Sequence, residues 1–163
     1  MRIITKILLV PVLLAMLSAT ALLAQDEPLA EEKHDNRFIE WQDYDKAVSR
    51  SRAEEIPLLI HFTARWCKWC DKMKRETYKD LQIIRYLNEN FAMTMVDTEK
   101  LPAVAAKYRV EGLPTLWFLD GDGRRLTSIP GFVSAETLLP LLEFINTKAY
   151  EAGDYESWLK QRK

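Results

Sequence analysis

Short apolar runs alternate with amphipathic segments along most of the chain. The run at residues 57–63 is apolar and begins at a proline, which is typical of a buried strand. Residues 91–97 and 115–119 are predicted as two further strands. An Asp-Gly-Asp-Gly turn follows the last of these, so residues 124–129 are predicted to return beside it as a hairpin partner.

Helical periodicity predicts the segments between and around these strands. Apolar residues at steps of three and four predict a first helix over residues 38–55, whose apolar face should cover the sheet. The same pattern, or a polar run without glycine or proline, predicts further helices at residues 68–79, 81–90, 101–108 and 138–145. Strands that alternate with helices and end in a hairpin and a helix predict an α/β fold, with one central sheet and helices on both faces.

The two ends of the chain differ from this domain. Arg2 and Lys6 precede an uncharged run at residues 7–24, so residues 1–24 are predicted as a signal peptide, with a membrane anchor as the alternative. Residues 25–36 are charged, lack apolar periodicity and are interpreted as a flexible linker to a domain at 37–149. The tail at 150–163 carries apolar residues at helical spacing and is predicted either to dock as a short helix or to fray.

The only two cysteines, Cys67 and Cys70, lie three positions apart. A disulfide between them closes almost no loop, so stabilisation is a poor reason for the pair. Zinc or iron–sulfur sites recruit more ligands than this chain offers, since its histidines are only two. Copper(I) bound with help from Met73 stays open as a minor alternative. The favoured interpretation is a dithiol that cycles between its open and bridged forms.

This pair stands between a predicted strand and a predicted helix. A cysteine at a helix N-terminus is stabilised as a thiolate by unpaired backbone N–H groups and the helix dipole. Cys67 is therefore predicted as an exposed nucleophile, with Lys68 adding positive potential. Cys70, one turn later, is predicted as the thiol that resolves the mixed disulfide.

Charge excludes some classes of partner. The chain has 23 basic and 24 acidic residues, and loss of Arg2 and Lys6 with the export signal would leave 21 against 24, a net charge near −3. That balance favours neither nucleic acid nor a strongly anionic membrane as partner. An exported dithiol would instead meet the cysteines of other exported proteins, because disulfides persist in oxidising compartments.

From residue 38 to 145 the chain resembles the thioredoxin superfamily, specifically exported members related to the C-terminal domain of the periplasmic membrane disulfide reductase. The motifs are Trp-Cys-Lys-Trp-Cys at 66–70, Val-Glu-Gly-Leu-Pro-Thr at 110–115, and the glycines at 123 and 131. The resemblance implies a three-layer sandwich around a mixed sheet and a redox disulfide as the only cofactor, with no metal. It also implies a cis bond before Pro114, and a substrate groove formed by Trp66, Leu113 and Pro114.

Two departures from that family limit what the resemblance implies. Lys68 and Trp69 replace Gly-Pro between the cysteines, so the redox potential is not carried over. His61 occupies the place of a buried acid, and strand alternation puts it on the face with Leu59 and Thr63. His61 is therefore a candidate proton acceptor for Cys70, and the alternative is a histidine that only satisfies a backbone carbonyl.

These observations predict a thiol–disulfide oxidoreductase acting on exported proteins, with reduction favoured over oxidation as its direction. A membrane or periplasmic protein is expected to supply its electrons, and the chain is expected to be a monomer. The alternatives are a binding module of the same fold whose Cys67–Cys70 bridge stays oxidised, and a copper-handling protein.

Overall fold

Four strands form one mixed sheet in the computed structural model, which describes residues 37–162. They are β1 (Leu58–Thr63), β2 (Ala92–Asp97), β3 (Thr115–Leu119) and β4 (Arg125–Pro130), in the order β2-β1-β3-β4. β1 runs parallel to β2 and antiparallel to β3, and β3 is antiparallel to β4. The four strands lie within one or two residues of the segments that the sequence predicts.

Six α-helices accompany this sheet in the described part of the chain. They are α1 (Tyr44–Ala53), α2 (Lys68–Arg75), α3 (Leu81–Asn90), α4 (Pro102–Lys107), α5 (Ala135–Asn146) and α6 (Tyr155–Gln161). Short 3₁₀ turns occupy Thr77–Lys79 and Ala149–Glu151.

The helices are divided between the two faces of the sheet. Leu59 of β1 belongs to a core cluster built with buried residues of α2, α3 and α5. Its neighbours Leu58, Ile60 and Phe62 belong to a second cluster with Ala47 of α1 and with Tyr108, which follows α4. Successive side chains of this fully buried strand thus point to opposite faces of the sheet and contact the helices on both sides. The predicted α/β three-layer sandwich with a central mixed sheet is confirmed.

The first predicted helix starts too early. α1 begins at Tyr44, and Phe38 is 55% exposed rather than part of an apolar helix face. The backbone N–H of Gln42 donates to the carbonyl oxygen of Met93, and Gln42 forms a parallel bridge with Thr94 of the edge strand β2. This segment therefore extends the sheet before Asp43 takes the N-cap position of α1.

The helix predicted at 68–79 is interrupted. α2 ends at Arg75, because Thr77 is drawn into a buried hydrogen bond in which its Oγ1 donates to the carbonyl oxygen of Val133, 2.6 Å away. The chain turns there, and Asp80 then caps α3 by accepting from the backbone N–H groups of Gln82 and Ile83. A contact 56 residues away in the sequence has no local signal.

The C-terminal tail packs against α5 as α6. Phe144 of α5 meets the rings of Tyr150, Tyr155 and Trp158 at centroid distances of 5.3–6.4 Å. The signal peptide and linker predicted at 1–24 and 25–36 lie outside the described residues. Within residues 37–162, none of the helices combines the length and the apolar character needed to cross a membrane.

Candidate redox site

Cys67 and Cys70 form a disulfide at the start of α2, with 5.3 Å between their Cα atoms. Cys67 is the N-cap residue, and its Sγ accepts a hydrogen bond from the backbone N–H of Cys70, 3.1 Å away. That sulfur thus lies where the unpaired N–H groups and dipole of α2 stabilise negative charge. In the reduced protein the same position would favour the thiolate of Cys67.

The two cysteines differ little in exposure, which corrects one expectation. Cys67 is 4% exposed and Cys70 is fully buried, whereas the sequence predicts an exposed first cysteine. The exposed residues are instead the neighbours of the cysteines: Trp66 is 67% exposed, Trp69 is 59% exposed and Lys68 is also exposed.

Strand pairing brings the Leu113–Pro114 loop to the same end of the sheet as the disulfide. Thr115, the first residue of β3, pairs with Phe62 near the end of β1, a few residues before Cys67. The Leu113–Pro114 peptide bond is cis. The carbonyl oxygen of Pro114 accepts from the N–H of Gly131 at 2.7 Å, which ties the loop to the end of β4. Trp66, Leu113 and Pro114 remain predictions as substrate-binding residues.

Beside the disulfide lies an aromatic and cationic contact that sequence reasoning missed. The ring of Trp69 lies beside that of Phe132, tilted by 45° with 6.2 Å between the centroids. The ammonium group of Lys72 stands 3.9 Å from the centroid of Phe132 and also pairs with Glu76 at 2.7 Å. Phe132 comes from the loop after β4, so only the fold brings it to α2. Trp69 is thus held from one side and largely open to solvent on the other.

His61 lies fully buried in the middle of β1, on the face that packs against α2, α3 and α5. Its Nδ1 shares a 2.7 Å hydrogen bond with the hydroxyl of Tyr78. Both rings lie at steep angles to the ring of Trp41, with centroid distances of 6.2 Å for His61 and 5.1 Å for Tyr78. The other ring nitrogen, Nε2, has no hydrogen-bond partner among residues 37–162. The partner of His61 is therefore a tyrosine hydroxyl rather than the backbone carbonyl named as the alternative.

Burial controls the protonation of this histidine. Desolvation, with a lesser contribution from the charge of Lys74, lowers the pKa of His61 to about 3. Burial also raises the pKa of Tyr78 well above its ordinary value, so both rings are neutral near pH 7. A base is most effective when its pKa lies near the working pH, and no hydrogen bond joins His61 to Cys70 in the described chain. The role of His61 as proton acceptor gains no support from this geometry and stays a prediction.

Comparison with known proteins places these features in context. The model of the thioredoxin-like domain family matches residues 44–146, which include both cysteines and Pro114. The disulfide bond reductase DsbH of Chlamydia pneumoniae is 27% identical over 116 residues, which cover 64% of this chain and 67% of DsbH.

Two more comparisons agree on the fold. The thiol:disulfide interchange protein DsbD of Campylobacter jejuni is 26% identical over 119 residues, 71% of this chain but only 21% of DsbD. A thioredoxin from Thermus thermophilus superposes with a TM-score of 0.60 at 22% identity, covering 66% of this chain and 86% of that one. The chain thus spans about a fifth of DsbD, and what the rest of that protein does is not part of the likeness.

Proposed function

This chain belongs to the thioredoxin-like domain family, and from that premise we propose that it is a thiol–disulfide oxidoreductase acting on protein cysteines. One observation carries the proposal most directly: Cys67 caps the N-terminus of α2 and is bridged to the buried Cys70. Two relatives named above, a disulfide bond reductase and a thiol:disulfide interchange protein, support it.

The proposed cycle follows from the positions of the two sulfurs. In the reduced protein the Cys67 thiolate attacks one sulfur of a substrate disulfide, whose S–S bond breaks and releases one substrate thiolate. Cys70 then loses its proton and attacks the Cys67 sulfur, the mixed disulfide breaks, and the second substrate thiolate leaves. Two electrons pass to the substrate and the chain ends as the Cys67–Cys70 disulfide. An external dithiol must then reduce that disulfide.

We propose that the chain reduces disulfides rather than forming them, and that its substrates are exported proteins. The predicted signal peptide at 1–24 supports export, and the name of the Chlamydia relative supports reduction. The cycle consumes two electrons per turnover, so an external donor must supply them, and we further propose a membrane or periplasmic protein in that role.

Equilibration with glutathione tests this function against a binding module with an idle bridge. The purified chain is incubated in buffers of graded reduced and oxidised glutathione, and the thiol state is read by alkylation and mass spectrometry. We expect a reversible two-electron transition of the Cys67–Cys70 pair, together with catalysed reduction of a protein disulfide by dithiothreitol. A bridge that stays closed across the series, without catalysis, would contradict the proposal. Stoichiometric copper in the reduced protein would favour copper handling instead.

Trp69→Ala should weaken action on protein disulfides while sparing small ones. The exposed ring of Trp69, braced by Phe132, offers a large apolar contact next to the reacting sulfurs. Loss of such a central aromatic contact costs about 1.4 kcal/mol or more, roughly tenfold in kcat/KM. The reaction of a small aromatic disulfide should change little, because it needs no such surface.

Leu81→Ala is the matched control for this variant. Leu81 is 64% exposed, similar to Trp69, but it begins α3 rather than α2. Equal losses in the two variants, or an equal loss of Trp69→Ala on small and protein disulfides, would show that Trp69 does not contact protein substrates.

A further inference from the structure

A cavity of about 190 Å³ lies on the face of the sheet opposite to α2. Its walls come from α1, from α4 and the residue after it, and from the ends of β3 and β4, and it touches Leu58 at the start of β1. The disulfide follows the other end of β1. Since a strand of six residues rises ~3.3 Å per residue, the cavity and the disulfide are separated by roughly the length of the sheet. The cavity therefore lies outside the redox site.

In the described part of the chain, three cations and no carboxylates line this cavity. They are Arg52 of α1, Lys107 of α4 and Arg125 of β4. None of the three forms an ion pair with an acidic side chain within residues 37–162, whereas Arg50, Lys72, Lys74, Arg124 and Arg162 all do. Like charges that converge without counter-charge raise the local potential, and a bound anion would lower it.

Arg125 is held in place before any ligand arrives. Its Nη2 donates to the carbonyl oxygen of Lys107 at 2.7 Å. Its guanidinium carbon lies 4.8 Å from the centroid of the Tyr108 ring and 5.5 Å from that of Trp117. The planar guanidinium has further N–H groups, and such a fork suits two oxygens of one phosphate.

The other polar groups of the cavity also donate. The hydroxyls of Tyr44 and Tyr108 lie 3.3 Å apart, and the ammonium of Lys107 donates to the Tyr44 hydroxyl at 3.3 Å. The bond between the two hydroxyls uses one of their two protons, so one O–H is left to donate elsewhere. Burial raises the pKa of Tyr108 above its ordinary value, so its hydroxyl stays protonated at neutral pH.

Arg52 of α1 adds a third cationic donor to the lining. Gly123 has a φ of +85°, and a Cβ built there would lie 3.5 Å from Nη2 of Arg52. The glycine turn after β3 thus passes close beside this guanidinium. The cavity combines donors on several sides with apolar walls from Val48, Leu58 and Leu119.

From this arrangement we propose that the cavity binds a small phosphate-type dianion, held by Arg125, Lys107 and Arg52 and by a tyrosine hydroxyl. Its volume would hold several water molecules at ~30 Å³ each, so a phosphate group and a small substituent fit. The site is independent of the disulfide chemistry proposed above.

Titration calorimetry with inorganic phosphate tests the site on the full oxidised chain at constant ionic strength in chloride buffer. We expect saturable one-to-one binding with a Kd of about 1 mM or tighter, weakened roughly tenfold in Arg125→Gln and in Lys107→Gln. Arg125→Lys should fall between the parent and Arg125→Gln, because it keeps the charge and loses the fork. Phenyl phosphate as a second probe distinguishes a phosphate ester from free phosphate as ligand. Tighter binding of phenyl phosphate than of inorganic phosphate would indicate that the apolar wall contacts a substituent of the ligand.

Arg85→Gln on α3 is the matched control, since Arg85 is an exposed arginine in the other helical layer. It should bind phosphate as the parent does. Within residues 37–162 the Arg52 side chain makes no hydrogen bond, so Arg52→Gln removes charge without breaking a bond seen there. Melting in chloride identifies any variant that has failed to fold. Absence of saturable phosphate binding, or equal weakening by Arg85→Gln, would overturn the proposal. Binding of an acidic peptide without binding of phosphate would also overturn it and would assign the cavity to a protein segment.

Discussion

A Cys67→Ser variant should reduce protein disulfides no faster than the uncatalysed background, while a Cys70→Ala variant should attack them and stall. Cys67 holds the capping position of α2, where a thiolate is stabilised, and Cys70 is fully buried behind it. A serine hydroxyl at position 67 cannot form a mixed disulfide. Without Cys70, the mixed disulfide on Cys67 lacks its resolving thiol and accumulates.

Mass spectrometry of the Cys70→Ala protein, incubated with extract of its native compartment, should therefore find client cysteines joined to Cys67. The doubly substituted Cys67→Ser/Cys70→Ala protein is the control and should capture nothing. Rapid alkylation of the reduced parent at mildly acidic pH gives an independent check, and we expect modification of Cys67 first. Preferential modification of Cys70 would reverse the two roles.

Stability should fall steeply in mild acid because of one buried histidine. Burial lowers the pKa of His61 to about 3 in the folded protein, against ~6.5 for an unperturbed histidine in the unfolded chain. Between these values the unfolded state takes up a proton that the folded state does not. The free energy of unfolding contributed by His61 is therefore fully present above pH 6.5 and is lost at about 1.4 kcal/mol per pH unit as the pH falls toward 3.

Denaturant unfolding from pH 7 to pH 4, compared between variants, measures this dependence. His61→Leu combined with Tyr78→Phe replaces both hydrogen-bonding partners with apolar groups and should remove the His61 part of the slope. Tyr78→Phe alone is the control, since it keeps the buried imidazole and should keep the slope. Identical slopes in the double variant and the parent would mean that His61 is protonated without unfolding.

The strands could be predicted from the sequence because their signals are local. Residues 57–63 and 115–119 are apolar runs bounded by proline or turn residues, and each became a buried strand. The start of α1 could not be predicted in the same way. Periodicity at Phe38 and Trp41 predicted a helix, but Gln42 pairs with the sheet edge and the helix begins only after it. Its partner strand β2 lies far from Gln42 in the sequence, so the residues near Gln42 carry no signal of this pairing.

The same distinction separates the predicted and missed parts of the site. Cys67 and Cys70 are neighbours, so their spacing alone indicated a redox pair and the start of a helix. Phe132 meets Trp69 only because β4 returns beside β3, and Tyr78 meets His61 only because the chain turns at Thr77. The three cations around the cavity come from three separate elements, and each by itself resembles an ordinary solvated side chain.

The docking of α6 changes where this domain should be cut for expression. The family model ends at residue 146, yet Phe144 of α5 packs on Tyr155 and Trp158 further along the chain. A fragment trimmed to the family boundary would uncover this aromatic surface, and exposed apolar patches promote aggregation. Reporter tags and fusion partners are therefore better joined after residue 162 than after α5.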